Sequence, residues 1–145
     1  MPPRSITVFI ADRDRRRSDA CLRVLRPEKD IRVLGQARSG LEALAATSLK
    51  PQVLLLDLSL SCGSGSELLP ALRRSNPGMR IILVAGSASK PRILAALSRG
   101  ANGYLEMKHL RAFLAKAVRL VGAGQAWISR GLMAEVVNRL ARQAA

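Results

Sequence analysis

Pro51-Gln52-Val53-Leu54-Leu55-Leu56-Asp57-Leu58 holds four consecutive aliphatic residues closed by an aspartate. A strand with one wet face alternates apolar and polar residues. An unbroken apolar run reads instead as a central parallel strand buried on both faces, here with a carboxylate at its carboxyl end. A strand of that kind needs neighbours on both sides and helices above and below.

The flanking sequence supplies them. Ile6-Thr7-Val8-Phe9-Ile10-Ala11 reads as a first strand, followed by a helix from Asp14 to Leu25 with Cys21, Leu22 and Leu25 on one face and Pro27 beyond its end. Ile31-Arg32-Val33-Leu34-Gly35 is a second strand, and Gly40 to Leu49 a short helix ended by Pro51. After the central strand come a loop from Ser59 to Gly65 and a helix from Ser66 to Arg74, with Ser66 as N-cap so that Pro70 costs little. Ile81–Ala85 is a fourth strand, Pro91 to Arg99 a fourth helix, Gly103-Tyr104-Leu105 a fifth strand and Lys108 to Val121 a fifth helix. Five strand–helix repeats predict an α/β fold with a parallel sheet and helices on both faces. Right-handed crossovers restrict the topology, and the flavodoxin-like order 2-1-3-4-5 is the candidate for five strands. Residues 1–122 form this domain; residues 123–145 read as a linker, opened by Gly122-Ala123-Gly124, and a last helix capped by Ser129. That helix either packs on the domain or links it to something further.

The 145 residues are 48% apolar but only 3% aromatic, so the core must be aliphatic. Net charge is +14, and nineteen of the 24 basic residues are arginine. Such a balance makes anionic partners plausible but says nothing of fold. Two cysteines, Cys21 and Cys62, read as reduced, inert thiols, and a single histidine excludes a His-based metal cluster. No run is long enough to span a bilayer, and no signal peptide opens the chain, so a cytoplasmic location without membrane contact is expected.

In open α/β sheets ligands sit beyond the carboxyl ends of the strands. Asp12 follows the first strand and Asp57 ends the third. Two carboxylates facing one crevice repel unless a cation or a proton lies between them. An Mg²⁺-like ion would suit oxygen ligands, and a carboxylate beside it can attack phosphorus to form an acyl phosphate. The plainer alternative is two solvated caps of strand-to-helix turns. No phosphate-cradling glycine loop follows the first strand and no base stands ready to activate a nucleophile, so an enzyme is not expected.

The chain resembles the receiver domain of bacterial two-component response regulators, most closely the NarL-like branch with a LuxR-type helix-turn-helix output. The resemblance rests on Pro51–Leu58 and Arg99-Gly100-Ala101-Asn102-Gly103-Tyr104-Leu105, with support from Val33–Ala37, Gly40–Leu44 and Ala123–Ser129. It implies a CheY-like signalling module, phosphorylated on Asp57 by a histidine kinase with Mg²⁺. Asp12 then matches the first of two adjacent metal-binding acids, and Tyr104 the aromatic switch residue. Three pocket positions depart from the pattern. The second acid is Arg13, the hydroxyl residue ending the fourth strand is Ala85, and the lysine after the fifth strand falls on Met107. Asp14, Ser87 and Lys108 lie close by as displaced substitutes.

Those changes predict weak or absent Mg²⁺ binding at Asp12 and Asp57, and no cofactor unless the pocket still functions. Arg13 has two readings. It lies across Asp12 and Asp57 as a bidentate partner, neutralising the pocket without metal, or it points to solvent with Arg15, Arg16 and Arg17. Impaired phosphorylation follows from either. The expected function is an atypical receiver controlling transcription, dimerising through the fourth helix, fifth strand and fifth helix (Ile93, Leu94, Leu97, Tyr104, Leu114), with DNA reached only through a further C-terminal domain. A conventional Mg²⁺-dependent phosphoacceptor at Asp57 and a small basic nucleic-acid-binding protein are the alternatives. The Ser129–Ala141 helix resembles a linker, which favours a fragment over a stand-alone receiver.

Overall fold

Alternation along the central strands sets the architecture. Leu54 and Leu56 face one side of the sheet while Val53 and Leu55 face the other, and all four are buried. The computed structural model, which describes residues 5–61 and 68–144, places these residues in a five-stranded parallel sheet of order β2-β1-β3-β4-β5. The strands are β1 (Ile6–Ala11), β2 (Ile31–Ala37), β3 (Val53–Asp57), β4 (Arg80–Ala85) and β5 (Gly103–Glu106). Helices α1 (Arg15–Leu25) and α5 (Leu110–Gly122) cover one face. The other is covered by α2 (Gly40–Ala46), α3 (Leu68–Ser75), α4 (Lys90–Ser98) and, at its edge, α6 (Arg130–Ala144). Topology and order are those expected.

Several element ends differ, for local reasons. Asp14 caps α1 instead of opening it, accepting from the backbone N–H groups of Arg16 and Arg17, and so offsets a first turn that is otherwise basic. β2 runs on to Ala37 past a one-residue bulge at Leu34. A Cβ at Gly35 would lie 3.0 Å from the Phe9 ring, so a side chain there would require that ring to shift. α2 stops at Ala46 because the Thr47 and Ser48 hydroxyls donate to Leu44 and Ala45 carbonyls, tightening residues Thr47–Leu49 into a 3₁₀ turn. A second such turn, Met107–His109, separates β5 from α5, which therefore begins at Leu110 and not at Lys108. The expected loop from Ser59 opens with residues of the 3₁₀ turn Leu58–Leu60. Cys62 and the expected cap Ser66 lie outside the described residues.

The C-terminal segment packs on the domain. Trp127 forms an isolated parallel bridge with Gly103, donating its N–H to Asn102 O and accepting from Tyr104 N–H, both at 3.0 Å. Ser129 caps α6 through Leu132 N–H, and Val136 joins the core beside α4. Of the five residues expected on a contact face, three lie in the core instead. Ile93, Leu97 and Leu114 are core residues, at most 6% exposed, and Leu94 is half-buried. Helical spacing marks such residues as apolar without saying whether they face the sheet or a partner.

Candidate functional site at the carboxyl ends of β1 and β3

β1 and β3 are hydrogen-bonded neighbours in register, with Ala11 opposite Leu56. Asp12 and Asp57 therefore leave the sheet side by side, 2% and 3% exposed. Two buried carboxylates so placed need a positive charge between them. Arg17 supplies it. Its Nε donates to Asp12 Oδ2 at 2.6 Å and its Nη2 to Asp12 Oδ1 at 2.7 Å, the bidentate fork that guanidinium geometry favours. The same Nη2 lies 3.2 Å from Asp57 Oδ1.

Helix geometry selects this arginine. Side chains of a helix tilt back toward its N-terminus, so from the first turn of α1 Arg17 sweeps over the strand ends. It also stands four residues before Cys21 and eight before Leu25, on the buried stripe of the helix. Arg13, in the turn before the helix, points to solvent with Arg15 and Arg16. Its part in the site is its backbone N–H, which donates to Asp57 Oδ2 at 3.1 Å. The expected bridging arginine exists, one helical turn further along the chain.

The remaining partners complete the site. Asp12 Oδ1 also accepts from Asp14 N–H at 2.8 Å, and Asp57 Oδ1 accepts from both the N–H and the hydroxyl of Ser59, at 2.9 and 2.8 Å. Burial raises the Asp12 carboxyl above its ordinary value against the pull of Arg17 and the Asp14 N–H, with the Asp57 charge adding to the rise. Both Asp12 oxygens accept from donors that keep their protons, so the group sits there as a carboxylate. Burial would raise Asp57 too, but Ser59, the Arg13 N–H and the Arg17 charge together hold it below its ordinary value. The Asp12 hydrogen bond, opposed by burial, raises Arg17. Cys21, one turn on, is pushed up to about 12, chiefly by burial.

Beside this cluster opens a cleft of about 360 Å³, walled by Arg13, Asp14, Arg17, Asp57, Ser59, Ala85, Ser87 and Arg92 among others. Ala85 ends β4 there without a hydroxyl, and Ser87 stands exposed on the rim. Asp14 reaches the cleft but its side chain caps α1. Lys108 is exposed and pairs with Glu106 at 3.5 Å, while Met107 borders a separate groove between α1 and α5. Tyr104 is half-buried on β5, away from the carboxylates; burial, with the Glu106 charge, pushes its hydroxyl up. Arg17, Ser59 and Arg92 were not among the expected site residues. For Arg17 the signal was present, as an arginine in register with a buried helical stripe.

Residues 8–119 match the family described as the response regulator receiver domain. The chain is 37% identical over 108 residues to the response regulator GacA of Pseudomonas viridiflava, covering 74% of this chain and 50% of that protein. It is 30% identical over 137 residues to the DNA-binding transcriptional activator DevR/DosR of Mycobacterium tuberculosis, covering 93% of this chain and 63% of that one. It thus spans between half and two thirds of these relatives. The solved signal receiver domain of the putative response regulator NarL from Mycobacterium tuberculosis superposes with a TM-score of 0.76 at 26% identity, covering 85% of this chain and 100% of that one. With the doubly wound sheet and its paired aspartates in place, the chain belongs to the response regulator receiver domain family.

Proposed function

We propose that this chain is a signalling receiver in which Arg17 stands where a divalent cation would bridge Asp12 and Asp57, so that phosphorylation of Asp57 is impaired or bypassed. The observation that carries this reading is the fork of Arg17 on Asp12, at 2.6 and 2.7 Å, with its 3.2 Å reach to Asp57. The residues present do not suit Mg²⁺. That ion demands near-octahedral oxygen ligation, whereas here both Asp12 oxygens accept from guanidinium and the Asp14 side chain accepts from helix N–H groups. Among the described residues no group of three or more His, Cys, Asp or Glu side chains is placed to hold a metal. Asp57 Oδ1 accepts from the N–H and the hydroxyl of Ser59 and lies 3.2 Å from Arg17 Nη2, which together draw electron density from that oxygen.

The likeness to the DNA-binding transcriptional activator DevR/DosR supports control of transcription through a C-terminal DNA-binding domain, LuxR-type in the resembled branch. A histidine kinase partner and a homodimer belong to the same reading. The test is incubation with phosphoramidate and Mg²⁺, followed by intact mass. The expected result is an unmodified chain. A phosphoryl adduct that Asp57→Asn abolishes would overturn the proposal in favour of a conventional phosphoacceptor.

A further inference from the structure

The guanidinium of Arg17 has donors on three nitrogens, and its two carboxylate partners use only two of them. Nε and Nη2 are taken by Asp12 and Asp57, while Nη1 makes no hydrogen bond or ion pair with a described residue. The side chain is only 10% exposed. Nη1 is nevertheless not sealed in, and it opens on the cleft of about 360 Å³ that Arg17 helps to wall. Gly86 on the same wall leaves space beside it, since a Cβ there would meet Nη1 at 3.7 Å and no other atom within 4 Å. Arg13 and Arg92 border this cleft as well, and neither side chain is in an ion pair with a described residue. The acids of the cleft are engaged. The Asp14 carboxylate caps α1, and Asp57 accepts from Ser59 and the Arg13 N–H. What the walls still offer is therefore donors, the foremost of them on a buried side chain fixed in place by its other two nitrogens.

Three guanidinium groups, carried by the turn before α1, by α1 and by α4, suit an anion rich in acceptors. A phosphate group offers three oxygens and close to two negative charges, where a carboxylate offers two oxygens and one charge. The cleft volume lies within the range of small-molecule pockets, about 300–1,000 Å³, and exceeds what a lone tetrahedral anion fills. Its remaining wall is apolar, at Ala85 and Ala88. We propose that this cleft binds a small phosphate monoester without reacting with it, the phosphate on Arg17 Nη1, Arg13 and Arg92 and the ester group against Ala85 and Ala88. No bond to Asp57 forms and no group is transferred, so that occupancy of the cleft takes the place of phosphorylation as the signal. The net charge of +14 favours an anion at the surface. The proposal rests on the reading of Arg17 as resident counter-ion, because a guanidinium displaced by Mg²⁺ would no longer present Nη1.

The test is titration of the full chain with glycerol 3-phosphate, first in EDTA and then in Mg²⁺, with backbone amides followed by NMR. The amides of Ser59, Gly86 and Ser87 should shift saturably in EDTA, and glycerol alone should leave them still. Arg13→Ala and Arg92→Ala should each weaken binding about tenfold, the loss of one charge-assisted contact. Gly86→Ala, which sets a methyl group beside Nη1 without crowding any other atom, should weaken it by a similar factor. Arg15→Ala, which removes the same charge from the exposed side of α1, should leave binding unchanged. Inorganic phosphate should bind about fivefold more weakly than the ester. The proposal is overturned by inorganic phosphate binding as tightly as the ester, by an equal loss in Arg15→Ala, or by indifference to both Arg92→Ala and Gly86→Ala. Absent or non-saturating shifts in both buffers would overturn it alone. Shifts that require Mg²⁺ would overturn it together with the reading of Arg17 as counter-ion.

Discussion

At the carboxyl ends of β1 and β3 every buried charge has a partner, whereas at the junction of β5, α4 and α6 two buried polar atoms, Tyr104 Oη and Glu135 Oε2, have none among the described residues. The first region is over-determined. Arg17, Asp12 and Asp57 hold one another through three close contacts, braced by Asp14, Ser59 and Arg13 from the chain around them. The second is held loosely, by Val136, the strand-like bridge at Trp127 and the Lys90–Glu135 ion pair at 2.6 Å. Fully paired buried polar networks fix one arrangement, while orphaned polar groups leave a fold open to another. The contrast sets a fully paired acidic pocket against a C-terminal segment with two unpaired buried polar atoms among the described residues.

The largest expected effect comes from breaking the first region. Arg17→Ala leaves two buried carboxylates without their counter-ion and should cost about 3–5 kcal/mol in urea denaturation, with part of the loss recovered in Mg²⁺. Arg13→Ala, which removes only an exposed side chain, should change stability by less than about 0.5 kcal/mol. Equal effects of the two substitutions would move the counter-ion back to Arg13.

Ser59→Ala sharpens the same region. Asp57 is held below its ordinary value, so its contribution is present above the unfolded-state pKa and is lost as pH falls through the folded-state one. Without the Ser59 hydroxyl the two values move together. Stability at neutral pH should fall by about 1 kcal/mol, and the acid-unfolding edge should shift to higher pH. Asp12 is shifted up, titrates in the opposite sense and is present in both proteins, so the difference between their pH curves reports Asp57.

Tyr104→Phe probes the second region and should carry the opposite sign. Removing a buried hydroxyl that has no partner should leave the protein as stable or raise stability by up to about 1 kcal/mol, read from the urea midpoint. A loss of stability would mean that the hydroxyl is paired in solution.

Much of this was legible in the residues. The Val53–Asp57 run read correctly to the residue because double-sided burial leaves an unmistakable pattern, and it brought sheet order and the Asp12–Asp57 pairing with it. Helix ends were harder, since Thr47, Ser48 and Asp14 set them with side-chain hydrogen bonds that compete with the backbone. Of the two readings of Arg13, bridge or solvent-facing, the structure takes the second, and the bridge is made by Arg17, whose side chain tilts back over the strand ends. The family resemblance set Met107 at the altered lysine position and Lys108 beside it as a substitute, but both lie in a 3₁₀ turn where Met107 borders the α1–α5 groove and Lys108 pairs with Glu106. Apolar periodicity in α4 and α5 could not tell core from docking face, and the core claimed Ile93, Leu97 and Leu114.

The central claim is that Arg17 holds the place of a divalent cation, and Mg²⁺ followed by beryllofluoride, with backbone amides observed by NMR, tests it most directly. The wild-type amides of Asp12, Arg13 and Asp57 should stay still through millimolar Mg²⁺, while those of Arg17→Ala move saturably. Saturable shifts at those three residues in the wild type, enlarged by beryllofluoride, would mean that Arg17 yields to the metal and would contradict the account.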